Sequence, residues 1–204
     1  MRTITSLIAL TGLAAAANAQ VVITEWMYSG NFAEYVEFTN TSNAPVDMTG
    51  WSYDDDSRLP GTFDLSGAGT LQPGESFVIA EESAADFIAV WGLSGVTVLG
   101  EYTNNLGRND EINLFDNGSN LIDRLTYGDE NFPGSIRAQN FSGNPLPGYE
   151  GANDVIGWVL SFDGDTYGSW TSSWGDVGNP GVFVPAPASA ALLGLGALIA
   201  RRRR

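Results

Sequence analysis

Carboxylates carry most of the chemistry open to this sequence. Twenty-four Asp and Glu residues stand against nine arginines, and the chain has no histidine, no cysteine and no lysine. Those absences exclude a Ser-His-Asp or Cys-His nucleophile, a thiolate redox pair and the ordinary zinc site. They also exclude a lysine Schiff base and a Walker-type phosphate loop. Two kinds of carboxylate chemistry stay open. A glycosidase needs only two acids about 5–10 Å apart, and Ca2+ is held by about six to eight oxygens.

Three groups of acids are placed for one or the other. Asp54, Asp55 and Asp56 are consecutive. Their mutual repulsion would be relieved by Ca2+, although neighbours in an extended loop point different ways and a solvated acidic turn is the plain alternative. Asp163 and Asp165 flank Gly164 with the D-x-D spacing that opens a calcium loop, but the twelfth position is Trp174 and not Glu. This is no EF-hand, and a cation there would need another geometry. Glu25, Glu34 and Glu37 fall on early strands and could converge as a hydrolytic pair, which in so acidic a chain also arises by chance. No dedicated cofactor is expected, Ca2+ being the one candidate.

All the acids lie between Glu25 and Asp176, whereas Arg2 and Arg201 to Arg204 sit at the two ends. The middle of the chain is therefore strongly anionic. Nucleic acid is not an expected partner, because phosphate contacts need clustered Lys or Arg. Of the six tryptophans, Trp26, Trp51, Trp91 and Trp158 read as core residues. Trp170 and Trp174, in a Ser/Gly-rich segment, are candidates for a surface that stacks on sugar rings.

These residues must be positioned by strands. Short runs of β-branched and aromatic residues, such as VVITEWM, EYVEFTN, SFVIA, EINLFD and LIDRLTY, are separated by Gly, Pro, Asn and Asp. Seven or more such runs predict an all-β sandwich or barrel. In EYVEFTN, Val36 and Phe38 predict one buried face. Asn117-Gly118 predicts a tight hairpin whose turn has positive φ there. One helix is expected, with Ser83 as N-cap, Asp86 closing a capping box, and Phe87, Val90 and Trp91 on one face. The proline- and glycine-rich stretch 131–151 predicts an extended loop.

The two ends have characters of their own. Residues 1–19 combine Arg2, an apolar run and small residues at Ala17 and Ala19, which is the pattern of a secretory signal peptide with an A-x-A cleavage site. A mature chain would begin at Gln20, outside the cytoplasm, and would have to fold without disulfides. At the other end, thirteen apolar or small residues run from Ala188 to Ala200 ahead of four arginines. Thirteen helical residues span only about 20 Å against a bilayer core of about 30 Å, so this short apolar transmembrane helix would be marginal. The arginines would stay on the cytoplasmic side.

In order and spacing, VVITEWMYSG, AEYVEFTNTSNAPVDMTGWSYDDD, GTLQPGESFVIA and LGRNDEINLFDNGSNLIDRLTYGD together resemble the lamin tail domain, with PGSIRAQ and GNPG matching more loosely. The resemblance implies an immunoglobulin-like β-sandwich over residues 20–181, flanked by the signal helix and the C-terminal apolar helix. Residues 182–204 resemble a PEP-CTERM sorting signal: Val184, Pro185 and Pro187, then the apolar stretch, then Arg201, Arg202, Arg203 and Arg204. Ala186 stands where that signal usually carries Glu. The two resemblances imply a non-enzymatic exported protein with a binding or structural role. Its expected partners are the export machinery, an exosortase-like membrane protease and extracellular polysaccharide or another envelope protein. It would be held briefly at the inner membrane and then reach the cell envelope, the cell surface or the extracellular space. The alternatives are a Ca2+-dependent adhesion or glycan-binding module, and then a carboxylate-based hydrolase.

Overall fold

The computed structural model describes residues 21–128 and 136–185. Ala17, Ala19, Pro187, Arg201 to Arg204 and both expected terminal helices lie outside the described residues.

Among the described residues, fourteen strands and one α-helix follow in chain order: β1 (Val21–Met27), β2 (Tyr35–Asn40), β3 (Val46–Asp47), β4 (Ser52–Asp54), β5 (Phe63–Asp64), β6 (Thr70–Leu71), β7 (Ser76–Ala80), α1 (Ala84–Trp91), β8 (Thr97–Leu99), β9 (Asn109–Phe115), β10 (Leu121–Gly128), β11 (Gly143–Pro145), β12 (Trp158–Leu160), β13 (Trp170–Thr171) and β14 (Val177–Gly178). A six-stranded sheet runs β12-β11-β1-β2-β7-β8, a four-stranded sheet runs β10-β9-β4-β5, and β13-β14 and β3-β6 form small ribbons. This is an all-β sandwich, one of the two forms that the strand pattern allows, and it fits the immunoglobulin-like fold that the family resemblance implies. Among the described residues no helix is long and apolar enough to cross a membrane.

The main core lies between the two large sheets. Val21, Ile23, Trp26, Val36, Phe38, Phe77 and Ile79 meet Tyr53, Ile112, Leu114, Leu125 and Tyr127 across it. Strict alternation along β1 would turn Trp26 away from this layer. A bulge between Ile23 and Glu25 absorbs one residue, Thr24, and resets the phase. The bulge sends Trp26 into the core and Glu25 to the opposite face. Trp26 then pairs with Gly143 of β11, where any side chain would overlap the indole ring. That strand lies within the stretch read from sequence as loop. Proline and glycine density hid it, because the glycine is what permits the pairing.

A second apolar cluster lies on the other side of the six-stranded sheet. Met27, Ala33, Tyr35, Val78 and Ala80 are covered there by Phe87 and Trp91 of α1. The strands β7 and β8 are parallel, and α1 is the crossover that such a connection requires. Ser83 caps it by accepting the Asp86 amide at 3.2 Å, and Gly92 ends it in the left-handed conformation. All six residues of β2 are consequently buried. The single buried face expected for this strand is corrected to two.

Asn40 closes β2 as its type suggests, accepting the Ser42 amide and donating to the Ala44 and Leu71 carbonyls. The β9–β10 hairpin is also present, but its positive φ falls on Ser119 and not on Asn117 or Gly118. Asp116 accepts the amides of Gly118 and Asn120, which winds a type I turn followed by one left-handed residue.

Candidate functional site

The largest buried polar assembly sits on the outer face of the six-stranded sheet, beside the patch that α1 covers. Glu25 of β1 and Glu37 of β2 are directly paired across the ladder, and both are fully buried. Alternation puts Tyr35, Glu37 and Thr39 on this face, and the bulge brings Glu25 to it. Glu25 Oε1 accepts from the Tyr35 hydroxyl at 2.8 Å, from the Asn179 amide at 2.7 Å and from Ser142. Glu37 accepts from Thr24 and Thr39 through Oε1 and from the Gly181 amide at 2.6 Å through Oε2. Thr39 also shares a hydrogen bond with Ser76. Ser142 continues the network to Ser161, and Asn144 joins Ser161 to Asn179.

Every donor in this network is neutral. Burial raises the proton affinity of both acids, and for Glu25 the Glu37 charge beside it adds to the effect. Glu25 Oε2 is buried without a hydrogen-bond partner among the described residues, a position that suits a neutral carboxylic acid far better than a carboxylate. The lid over the pair is the segment from Ser161 to Val182. Gly178 lies so close that a Cβ there would collide with Tyr35 Oη and crowd Glu25 Oε1. Asp176 fastens the same segment, accepting the Asn31 amide at 2.7 Å, the Phe32 amide at 3.2 Å and Asn140 Nδ2 at 3.0 Å.

Glu34, the third glutamate of the early strands, does not join the pair. It accepts the Leu106 amide at 2.9 Å, and burial pushes it up to about 8. The expected convergence is thus real for Glu25 and Glu37 and absent for Glu34. The converged pair is sealed, whereas a glycosidase holds its two acids open to a sugar and, for inversion, a water.

An open cleft of about 390 Å³ lies elsewhere, lined by Asp56, Arg58, Asp110, Glu111, Thr126 and others. Arg58, held at φ 57°, grips Glu111 with Nε to Oε2 at 2.7 Å and Nη2 to Oε1 at 2.6 Å. Hydrogen bonding from Arg58 holds Glu111 down to about 2, while burial raises Asp110. Opposed shifts of this kind can mark an acid and a base. Here both oxygens of Glu111 are already engaged by Arg58, Thr126 and Asn113, so no lone pair is aimed at the cleft. Sequence reasoning missed this clamp because its partners are separated by β5 to β8.

The calcium candidates are spread apart. Asp54 is buried, and its oxygens accept from Ser57, the Leu59 amide and Asn104. Asp55 accepts the Ser57 amide, and Asp56 lies at the rim of the cleft. Asp165 closes its own turn by accepting the amides of Phe162, Tyr167 and Ser169 and the Ser169 hydroxyl, and Asp163 is exposed. Among the described residues no three acids come close enough to share a metal ion.

Of the tryptophan candidates, Trp170 is half-buried and donates its Nε1–H to the Trp91 carbonyl at 3.1 Å. Trp174 is 58% exposed, with one side packed on Phe32 at 5.4 Å between ring centroids. Val184 and Pro185, the described part of the expected sorting motif, are exposed.

The family model of the lamin tail domain matches residues 14–129, and no curated protein matches the chain. The match ends with β10, so the lid over Glu25 and Glu37 lies beyond it.

Proposed function

The chain belongs to the lamin tail domain family, and from that premise we propose a non-enzymatic exported protein of the cell envelope or extracellular matrix. Its role is structural or binding, and its final residues act as the sorting segment. One observation carries the non-enzymatic reading: the pair of acids best matched to hydrolysis, Glu25 and Glu37, is roofed by the protein's own C-terminal segment. A sealed pair holds the fold together and meets no substrate. Export is supported by the residue pattern through Ala17 and Ala19, and sorting by Val184, Pro185, Pro187 and the four terminal arginines. The partners follow from that route: export machinery, an exosortase-like membrane protease and an envelope polysaccharide or protein. The experiment is mass spectrometry of the mature chain from fractionated cells. The reading expects a protein outside the inner membrane, starting at Gln20 and lacking Arg204; a cytoplasmic chain that retains Met1 and Arg204 would refute it.

A glycan-binding reading is favoured by Trp174. Its exposed ring stands on a tip held in place, with Asn31 bonded to the Trp174 carbonyl and Ser173 to the Val90 carbonyl. A rigid exposed aromatic is the kind of group that anchors recognition at little entropic cost. Retention on envelope polysaccharide that Trp174→Ala abolishes would support it, and equal retention of both proteins would end it.

A further inference from the structure

The stretch that leaves β14 does two things for the Glu25 and Glu37 pair. It excludes water from both carboxyls, and it supplies the Asn179 and Gly181 amides that bond to them. Upstream, the segment is tied down by bonds that need no proton from the pair: Asp176 to Asn31, Phe32 and Asn140, Trp170 to Trp91, and Val177 to Asn140 and Ser142. Downstream of Gly178 the ties are the two carboxyl bonds, the contacts of the Asn179 side chain with Asn144 and Ser169, and the packing of Gly181 on Val96. We propose that the stretch from Asn179 to Pro185 is a proton-dependent latch, docked while Glu25 and Glu37 hold a proton between them and released from the sheet when both ionise.

The reasoning is reciprocal. Two carboxylates on directly paired residues, with no cation bonded to either among the described residues, cannot both be charged in a dry site without a large electrostatic cost. The Asn179 and Gly181 amides by themselves favour the ionised forms, but exclusion of water from both carboxyls outweighs them, so covering the pair on balance favours its protonated forms, and by linkage its protonated forms favour the cover. The groups that bond to the pair are Thr24 from β1, Tyr35 and Thr39 from β2, Ser142 and, from the latch, two backbone amides, with Ser76 of β7 beside Glu37. Tyr35 is the other titratable member, and burial holds it in its neutral form well past the ordinary range. On opening, the pair's proton passes to bulk water and both carboxylates are hydrated. The latch ends in Val184 and Pro185, so its state sets whether those two residues are pinned to the sheet or free.

Amide hydrogen exchange on the intact chain, read as protection relative to the intrinsic rate at each pH, tests this. Linkage allows the open fraction to rise by as much as about tenfold per pH unit for each proton released. The latch expects protection of the Asn179 and Gly181 amides to fall at least about tenfold between about pH 6 and about pH 9 and to stay well below that of the β7 and β9 amides, which lose no more than global stability loses. Glu25→Gln and Glu37→Gln, alone or together, should hold protection level across that range. Flat protection in the wild-type chain, latch amides as protected as those of β7 and β9 at every pH, or a fall that persists in the double variant would overturn the proposal. Should the variants fail to fold, the wild-type chain labelled with 13C at its Glu carboxyls decides: Glu25 and Glu37 must titrate over the same pH range in which protection is lost, and separate ranges reject the latch.

Discussion

The two faces of the six-stranded sheet solve burial in opposite ways. The inner face is apolar and indifferent to solution conditions: Trp26, Val36, Phe38, Phe77 and Ile79 pack against the second sheet with no charge to neutralise. The outer face is divided. α1 covers its apolar part with Phe87 and Trp91, and the C-terminal segment covers a polar part built on Glu25 and Glu37. The inner face gives stability through area removed from water. The outer polar part gives position, since each hydrogen bond fixes where a distant segment must lie, and it makes that position depend on protons.

The comparison is broken most severely from the inside. Trp26→Ala should cost about 3–5 kcal/mol in urea unfolding, because it removes a buried indole and leaves a cavity. From the outside, Gly178→Val should cost about 1–3 kcal/mol, since a side chain there collides with Tyr35 and Glu25. Its signature is lost exchange protection at Asn179 and Gly181 with the inner strands intact.

Proton dependence sharpens the contrast. Glu25 and Glu37 have folded-state affinities raised above their ordinary value of 4.5, so the folded chain holds protons that the unfolded chain has released. Their contribution is fully present below about pH 4.5 and is lost as pH rises through about 7 to 8. Glu34 and Asp123, pushed up to about 8 and about 6 by burial, act in the same direction. Unfolding free energy should therefore fall by about 1–3 kcal/mol from about pH 5 to about pH 8.5, and Glu25→Gln with Glu37→Gln should flatten about half of that slope.

Glu111 runs the other way. Its affinity is lowered to about 2, so its contribution is present above 4.5 and fades as pH falls toward 2. Arg58→Ala should move the Glu111 titration back toward 4.5, read by carboxyl NMR, with less effect on stability than either core change. Smallest of all, added Ca2+ or a chelator should leave the melting temperature unchanged, since Asp54 and Asp165 are spent on their own turns and no three acids among the described residues come together.

How far the sequence could be read follows the same division. Alternation in β2, the capped helix at Ser83 and the Asn40 turn depend on neighbours in the chain, and their residue types announce them. The second buried face of β2 depends on α1 and on Gly181, which is 144 positions from Glu37. No local pattern says that Asn179 will meet Glu25 or that Gly181 will meet Glu37. Thr24 is a similar case, since a bulge leaves no compositional mark yet decides which face Trp26 and Glu25 take. A signal did exist in the glutamates themselves. Glu37 sits in β2 with Tyr35 and Thr39 at the same parity, and a charged residue amid buried strand positions asks for a polar partner. Arg58 offered less, because its backbone conformation and its grip on Glu111 arise only once β4 and β9 pair.

The central claim is that Glu25 and Glu37 serve as covered, proton-holding structural groups and not as solvent-facing acids. The most direct measurement is the pH titration of their side-chain carboxyl 13C shifts in the folded, full-length chain, assigned by Glu→Gln substitution at each position. This account predicts that both remain protonated at about pH 5.5 and titrate near or above neutrality. Titration of both at the ordinary Glu value of 4.5 would contradict it.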